Sequence, residues 1–262
     1  MDKLHKIYTD IKEVRIQGAT NIAKAAVSAY LAKPTKENKK KLLSLRPTEP
    51  ALSNALNFLE KIGKKKVLSH FAEAQKKINK LVFKILKNGE VVYTHCHSTN
   101  VLKALIYAKK KGKKFEVYNT ETRPLFQGRI TARELSKNKI KVTTFVDSAL
   151  LEAIKCSDVV MLGADAILHN GFINKIGSAA IAELAGNHRK PVYVVADSWK
   201  FSPKNVPLEE RDFREVWANA PAHIKVENPA FEFVDKKFVK GIISEYGVLK
   251  FESFVKKSQQ KD

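Results

Sequence analysis

Two side chains suited to moving protons at a reacting carbon or oxygen stand at the ends of apolar runs: Cys96 within Thr94-His95-Cys96-His97-Ser98, and Asp165 within Gly163-Ala164-Asp165. An isolated cysteine is most often a small buried hydrophobe. At a strand end, beside a helix start and basic groups, a thiol instead gains a lowered pKa and works as an acid or base. Asp165 follows a wholly apolar stretch, so partial desolvation is expected to raise its pKa toward the range a general acid or base needs near neutrality. His95 and His97 suggest a metal beside Cys96. Strand alternation, however, sends them to the opposite face from the thiol, and the chain has no second ligand cluster, so no metal is expected. Downstream, Asn174-Lys175-Ile176-Gly177-Ser178 reads as a loop entering an Ala-rich helix, offering a phosphate an amide, a cation and free backbone N–H groups. No GxGxxG or Walker string accompanies it, which argues against a dinucleotide or nucleoside triphosphate.

Residues this far apart must be brought together by a repeating scaffold. From residue 89 onward, short β-rich runs alternate with helical stretches: 91–96, 115–121, 142–147, 159–165 and 192–197 as strands, with 100–111, 131–137, 148–154 and 178–188 as helices. Right-handed crossovers then give parallel strands. Uninterrupted apolar runs such as Val159-Val160-Met161-Leu162 suit a sheet covered on both faces. In such a sheet, ligands bind beyond the carboxyl ends of the strands at the switch in strand order. Cys96, the Thr120-to-Pro124 string, Asp147, Asp165 and Asp197 all fall there. Asp147, Ser148 and Asp197 are read as caps of the following helices.

Before residue 89 the apolar spacing is helical, as in Ile22, Ala25, Ala26 and Ala29 or Leu52, Ala55, Leu56 and Leu59. The fold class is therefore α/β: an N-terminal helical domain, 1–88, followed by a Rossmann-like doubly wound parallel sheet, 89–262. The lysine run from Lys36 to Lys41 is placed on a solvated face.

Hydrophobic residues make up 44% of the 262, yet no uninterrupted apolar run approaches the ~20 residues of a membrane span. The N-terminus is mixed in charge and lacks an apolar signal core, so a soluble, cytoplasmic protein is expected. Cys96 and Cys156 are the only cysteines and are expected to be free thiols. The net charge of +21 invites a nucleic-acid reading. Its lysines are dispersed and lack an aromatic-studded basic strand, so the charge instead suits attraction of anionic small molecules.

In order along the chain, the strings THCHS (94–98), TETRPLFQG (120–128), VDSA (146–149), GADAI (163–167) and NGFINKIGS (170–178) resemble the archaeal ribose-1,5-bisphosphate isomerases. That wider family includes methylthioribose-1-phosphate isomerases and regulatory subunits of translation initiation factor 2B. The likeness extends through Leu45-Arg46-Pro47-Thr48, Trp199-Lys200-Phe201, Glu210-Arg211-Asp212 and Asn228-Pro229-Ala230-Phe231. It implies that Cys96 and Asp165 are the catalytic pair, which regulatory members generally lack. It also implies a substrate phosphate held by Arg46, Gln127, Asn174 and Lys175, with backbone N–H groups at Gly18 and Ala19, and with Arg123 and Arg129 as additions. Where relatives carry Arg-Gly-Ala, this chain has Gln17-Gly18-Ala19. A charge-assisted contact is lost there, leaving the Gln17 amide and the nearby Arg15. The implied activity is aldose–ketose isomerisation of a phosphorylated pentose by proton transfer, without metal or organic cofactor, in a homo-oligomer. A translation-factor-like regulatory subunit and a methylthioribose-1-phosphate isomerase are the alternatives.

Overall fold

The computed structural model describes residues 3–260 apart from Val14 and Gln17. Four helices lead the chain: α1 (Lys3–Lys12), α2 (Ala19–Ala32), α3 (Lys36–Leu45) and α4 (Pro50–Ile85). Their starts follow local chemistry. Thr35 caps α3 by accepting a hydrogen bond from Asn38 N, and Pro50, whose fixed φ suits a first turn, opens α4. The predicted apolar faces of α2 and α4 meet: Ile22, Ala26, Leu52, Ala55, Leu56 and Leu59 share one buried cluster. Lys36, Lys40 and Lys41 face solvent while Asn38 and Leu42 turn inward. Gly63, with φ 78°, kinks α4. Beyond the kink, Ile78, Val82 and Leu86 pack with the strands that follow.

The second part of the chain runs through β1 (Val91–Thr94), α5 (Thr99–Lys110), β2 (Glu116–Thr120), α6 (Gln127–Lys137), β3 (Lys141–Phe145), α7 (Leu150–Lys155) and β4 (Val159–Leu162). It continues with β5 (Ala166–Ile167), β6 (Gly171–Lys175), α8 (Ser178–Asn187), β7 (Val192–Val195), α9 (Arg214–Trp217), β8 (Phe231–Asp235), β9 (Gly241–Ser244), β10 (Gly247–Leu249) and α10 (Phe251–Gln259). Seven strands form one sheet in the order β10-β9-β7-β4-β1-β2-β3, parallel except for β10. Alternation along the strands feeds two cores: Val160, Leu162, Val192 and Val194 on one face, and Val92, Val117, Val159 and Met161 on the other. The sheet is thus doubly wound, as the apolar runs predict, and the strand order switches between β1 and β4.

Three features depart from the sequence reading. The predicted strands run past the observed ends, because the polar tips leave the ladder. Second, β5, β6 and β8 form a separate antiparallel sheet, pairing Asn174 with Glu232. Asn174 and Lys175 therefore lie on a strand rather than in a loop. Third, α6 begins at Gln127, since Phe126 at φ 56° turns the chain directly into it. Among the described residues, no helix is long and apolar enough to cross a membrane.

Candidate active site

The tips of β1 and β4, which flank the switch point, open on a cavity lined by both Cys96 and Asp165. Past Thr94 the chain leaves the strand, and Cys96 takes a left-handed φ of 61°. Two threonines hold that conformation: Cys96 N donates to Thr122 Oγ1 (3.2 Å), and Thr131 Oγ1 donates to Cys96 O (2.8 Å). His97 Nδ1 lies 2.9 Å from the same Thr131 hydroxyl. That hydroxyl's proton is already directed at Cys96 O, so His97 is the donor. His95 Nε2 lies 2.9 Å from Ile176 O and must donate to it, which leaves Nδ1 to accept from Thr120 Oγ1 at 3.2 Å. Burial holds His95 below the usual imidazole range, in keeping with this neutral tautomer. Through His95 the end of β1 is tied to the β6–α8 junction.

Asp165 is drawn from the tip of β4 toward β6 by its N–H, which donates to Ile173 O at 2.8 Å. Burial raises its carboxyl pKa against the opposing pull of Lys200, Arg46 and Lys175. Lys200 Nζ donates to Ala164 O (2.6 Å), which fixes an ammonium next to Asp165. Lys175 and Asn174 are buried on the same wall. Asn174 Nδ2 donates to Ser178 Oγ, whose own proton goes to Lys175 O. On the opposite side stand Gly18 and Ala19, where α2 begins with Gly18 at φ 84° and no side-chain cap, so the start of the helix presents backbone N–H groups to the cavity side. Arg46 and Gln127 complete the lining. Arg46 Nε and Nη1 and Gln127 Oε1 are buried without a partner among the described residues, a cost of about 1–3 kcal/mol each if nothing else meets them. Buried, unpaired guanidinium donors are what a bound oxyanion would satisfy.

The family model described as the Initiation factor 2 subunit family matches residues 12–251. The chain belongs to this family. A relative from Archaeoglobus fulgidus named ribose 1,5-bisphosphate isomerase is 35% identical over 95% of this chain and 90% of its own. Among solved structures, the Pyrococcus horikoshii OT3 translation initiation factor eIF-2B superposes with a TM-score of 0.85 at 26% identity, over 95% of this chain and 98% of its own. The 5-methylthioribose 1-phosphate isomerase of Pyrococcus horikoshii OT3 reaches 0.76 at 25% identity, over 100% and 89%.

In this family member, several expected contributors lie elsewhere. Arg123 is exposed, stacks on Phe126 and donates to Val216 O (3.0 Å), outside the cavity lining. Arg129 pairs with Glu121 and also lies over the Phe126 ring, 3.9 Å from its centroid. Arg15 is exposed and pairs with Glu13 and Asp10, so it does not replace a cavity arginine. Gln17 lies outside the described residues. His95 and His97 do not face away from Cys96, because strand alternation stops at Thr94 and all three line the cavity. The Cys96 thiol is not lowered. Burial pushes it up to about 12, overriding Lys175.

The expected caps differ as well. Asp147 accepts from Thr122 N (2.9 Å) and Arg123 N (2.7 Å), bracing the loop after β2 rather than a helix. Ser148 makes no cap bond to the short turn it sits in. Asp197 is buried and makes no cap bond either. Burial pushes its carboxyl up, yet His70 and Lys200 hold it below the usual range. Four charged cavity residues had no role assigned from sequence: Glu49, Lys200, Glu209 and Arg211. Lys200 follows the β7 tip by five residues, and Glu209 and Arg211 sit in irregular chain, so periodicity carries no signal for them.

Proposed function

We propose that this protein is an aldose–ketose isomerase that converts ribose-1,5-bisphosphate into ribulose-1,5-bisphosphate, with Cys96 and Asp165 exchanging protons. The observation that carries this reading is a thiol and a pKa-raised carboxyl on neighbouring strand tips of one cavity, ringed by Arg46, Lys175, Lys200 and Arg211. The name borne by the 35%-identical relative agrees with it.

A sugar with phosphate on C1 cannot open to a free aldehyde. Asp165 donates a proton to the ring oxygen as the C1–O bond breaks, and later takes the proton of the C2 hydroxyl as the ketone forms. Cys96 removes the proton from C2 in its thiolate form, a minor species while the thiol is pushed up to about 12, and returns that proton to C1. Each group ends as it began, and either can exchange roles with the other. Arg46, Gln127, Asn174, Lys175 and the N–H groups at Gly18 and Ala19 hold a phosphate and fix the geometry. The extra cations Lys200 and Arg211 favour a bisphosphate over methylthioribose-1-phosphate, whose thiomethyl end needs an apolar wall. No metal or organic cofactor enters the scheme. The protein works in the cytoplasm as a homo-oligomer, for which the exposed Phe213 and Trp217 offer contact surface.

Superposition on eIF-2B favours a second reading, a regulatory subunit in translation initiation. Purified protein incubated with ribose-1,5-bisphosphate and, separately, methylthioribose-1-phosphate decides among the three. Ribulose-1,5-bisphosphate from the first alone is expected. Turnover of neither, with capture of translation factor 2, overturns the enzymatic reading.

A further inference from the structure

The arginine of the phosphate clamp already has an anion beside it. Arg46 ends α3 and Glu49 precedes α4, so the tight turn between them brings the two side chains together at 2.8 Å (Nη2 to Oε1), both almost fully buried. Thr48 Oγ1 donates to Pro207 O (2.7 Å), pinning this turn against the segment that carries Glu209 and Arg211. Glu209 reaches the same Arg46 nitrogen at 3.4 Å and receives Arg211 Nη1 at 3.1 Å. Three buried atoms at this spot have no hydrogen-bond partner among the described residues: Arg46 Nε, Arg46 Nη1 and Glu49 Oε2. Donors and a carboxyl oxygen of two residues that line the cavity are thus left without partners together.

We infer that Glu49 is the resident counter-anion of the clamp, so that a tetrahedral dianion binds at Arg46 only as Glu49 takes up a proton and becomes a hydrogen-bond donor to it. This rests on the reading of the cavity as a sugar-phosphate site. The charged groups facing Glu49 come from every side: Arg46 on its own turn, Asp165 from the β4 tip, Lys200 after β7, and Glu209 on the irregular segment. Burial comes first in raising the Glu49 carboxyl to about 7, Asp165 and Glu209 push the same way, and Arg46 and Lys200 oppose them. A dianion arriving beside a carboxylate adds like-charge repulsion and raises it further. Above neutral pH, binding and protonation must therefore occur together.

Sulfate tests this, being a tetrahedral dianion that does not titrate between pH 6 and 9. Calorimetric titration of the full chain at pH 8, in two buffers of different ionisation enthalpy, counts the protons taken up. Close to one proton per sulfate is expected, with affinity falling about tenfold per pH unit above 7. Glu49→Gln should take up none, bind sulfate about tenfold more tightly than the wild type at pH 8, and match it at pH 6. No uptake by the wild type, equal uptake by Glu49→Gln, or no sulfate binding at pH 6 overturns the inference. Should the variant fail to fold, the wild-type proton count and pH slope still decide. Turnover of ribose-1,5-bisphosphate without proton uptake defeats the role of Glu49 alone. Uptake without turnover supports it and defeats the isomerase reading alone.

Discussion

Both proposed proton-transfer groups are shifted toward their protonated forms, and for the same first cause. Burial outweighs Lys175 at Cys96 and outweighs Lys200, Arg46 and Lys175 at Asp165. A thiol at about 12 is thiolate in only about one molecule in ten thousand at pH 8. Exposed Cys156 should accordingly be alkylated by iodoacetamide at pH 8 while Cys96 stays largely unmodified, as peptide mass spectrometry would show. Labelling of Cys96 at an equal or greater rate would contradict its raised pKa. Asp165 and Cys96 were legible as chemistry from their residue types and positions after apolar runs. The direction of the Cys96 shift was not, because sequence shows the neighbouring lysine but not how much water the cavity admits. For Glu49 the linkage has a definite sign. Its carboxyl is raised in the folded chain, so the wild type loses stability as pH climbs from its ordinary value of 4.5 through about 7. Glu49→Gln should flatten that decline in a series of thermal melts, and an unchanged slope would contradict the raised value.

At the scale of elements, the catalytic geometry depends on how closely α6 docks under the end of β2. A Cβ added at Gly128 would lie 1.8 Å from Thr120 O, a backbone atom that cannot swing aside. Gly128→Ala should therefore destabilise the fold by about 3 kcal/mol or more and displace Thr122 and Thr131, which hold Cys96. Chemical denaturation compared with the wild type measures this; a loss under about 0.5 kcal/mol would show that the close approach is relaxed. The five parallel strands predicted were visible because each is a strand-length run rich in β-branched and aromatic residues, from Val-Val-Tyr-Thr in β1 to Val-Tyr-Val-Val in β7. The antiparallel sheet was not. Its β5 is two residues long, and β8, Phe231-Glu232-Phe233-Val234-Asp235, mixes charge into a strand partnered across sixty residues. Asn174 and Lys175 line the cavity but lie on a strand rather than in the expected loop, since pairing with Glu232 and Phe231 is a long-range fact. Arg123 and Arg129 were misplaced because residue type alone cannot tell a guanidinium that faces a ligand from one that stacks on Phe126.

For the whole molecule, we propose 1–88 and 89–262 as two domains that unfold together. Ile78, Val82 and Leu86, at the end of the first, complete a core whose other members come from the sheet, the residues that lead into it, α5 and α6. Differential scanning calorimetry should give one transition, and two separated transitions would contradict the shared core. The proposed homo-oligomer predicts a light-scattering mass that is a multiple of the 29.5 kDa chain. All these properties bear on a single proposed arrangement, a sulfhydryl and a carboxyl meeting one phosphorylated sugar at the switch between β1 and β4. Its most direct test is the rate of ribulose-1,5-bisphosphate formation from ribose-1,5-bisphosphate by the wild type, Cys96→Ser and Asp165→Asn, each first shown to be folded. Turnover by the wild type and a loss of at least about a hundredfold in either variant is the predicted result. A wild type without turnover, or a folded variant that keeps most of its rate, would contradict it.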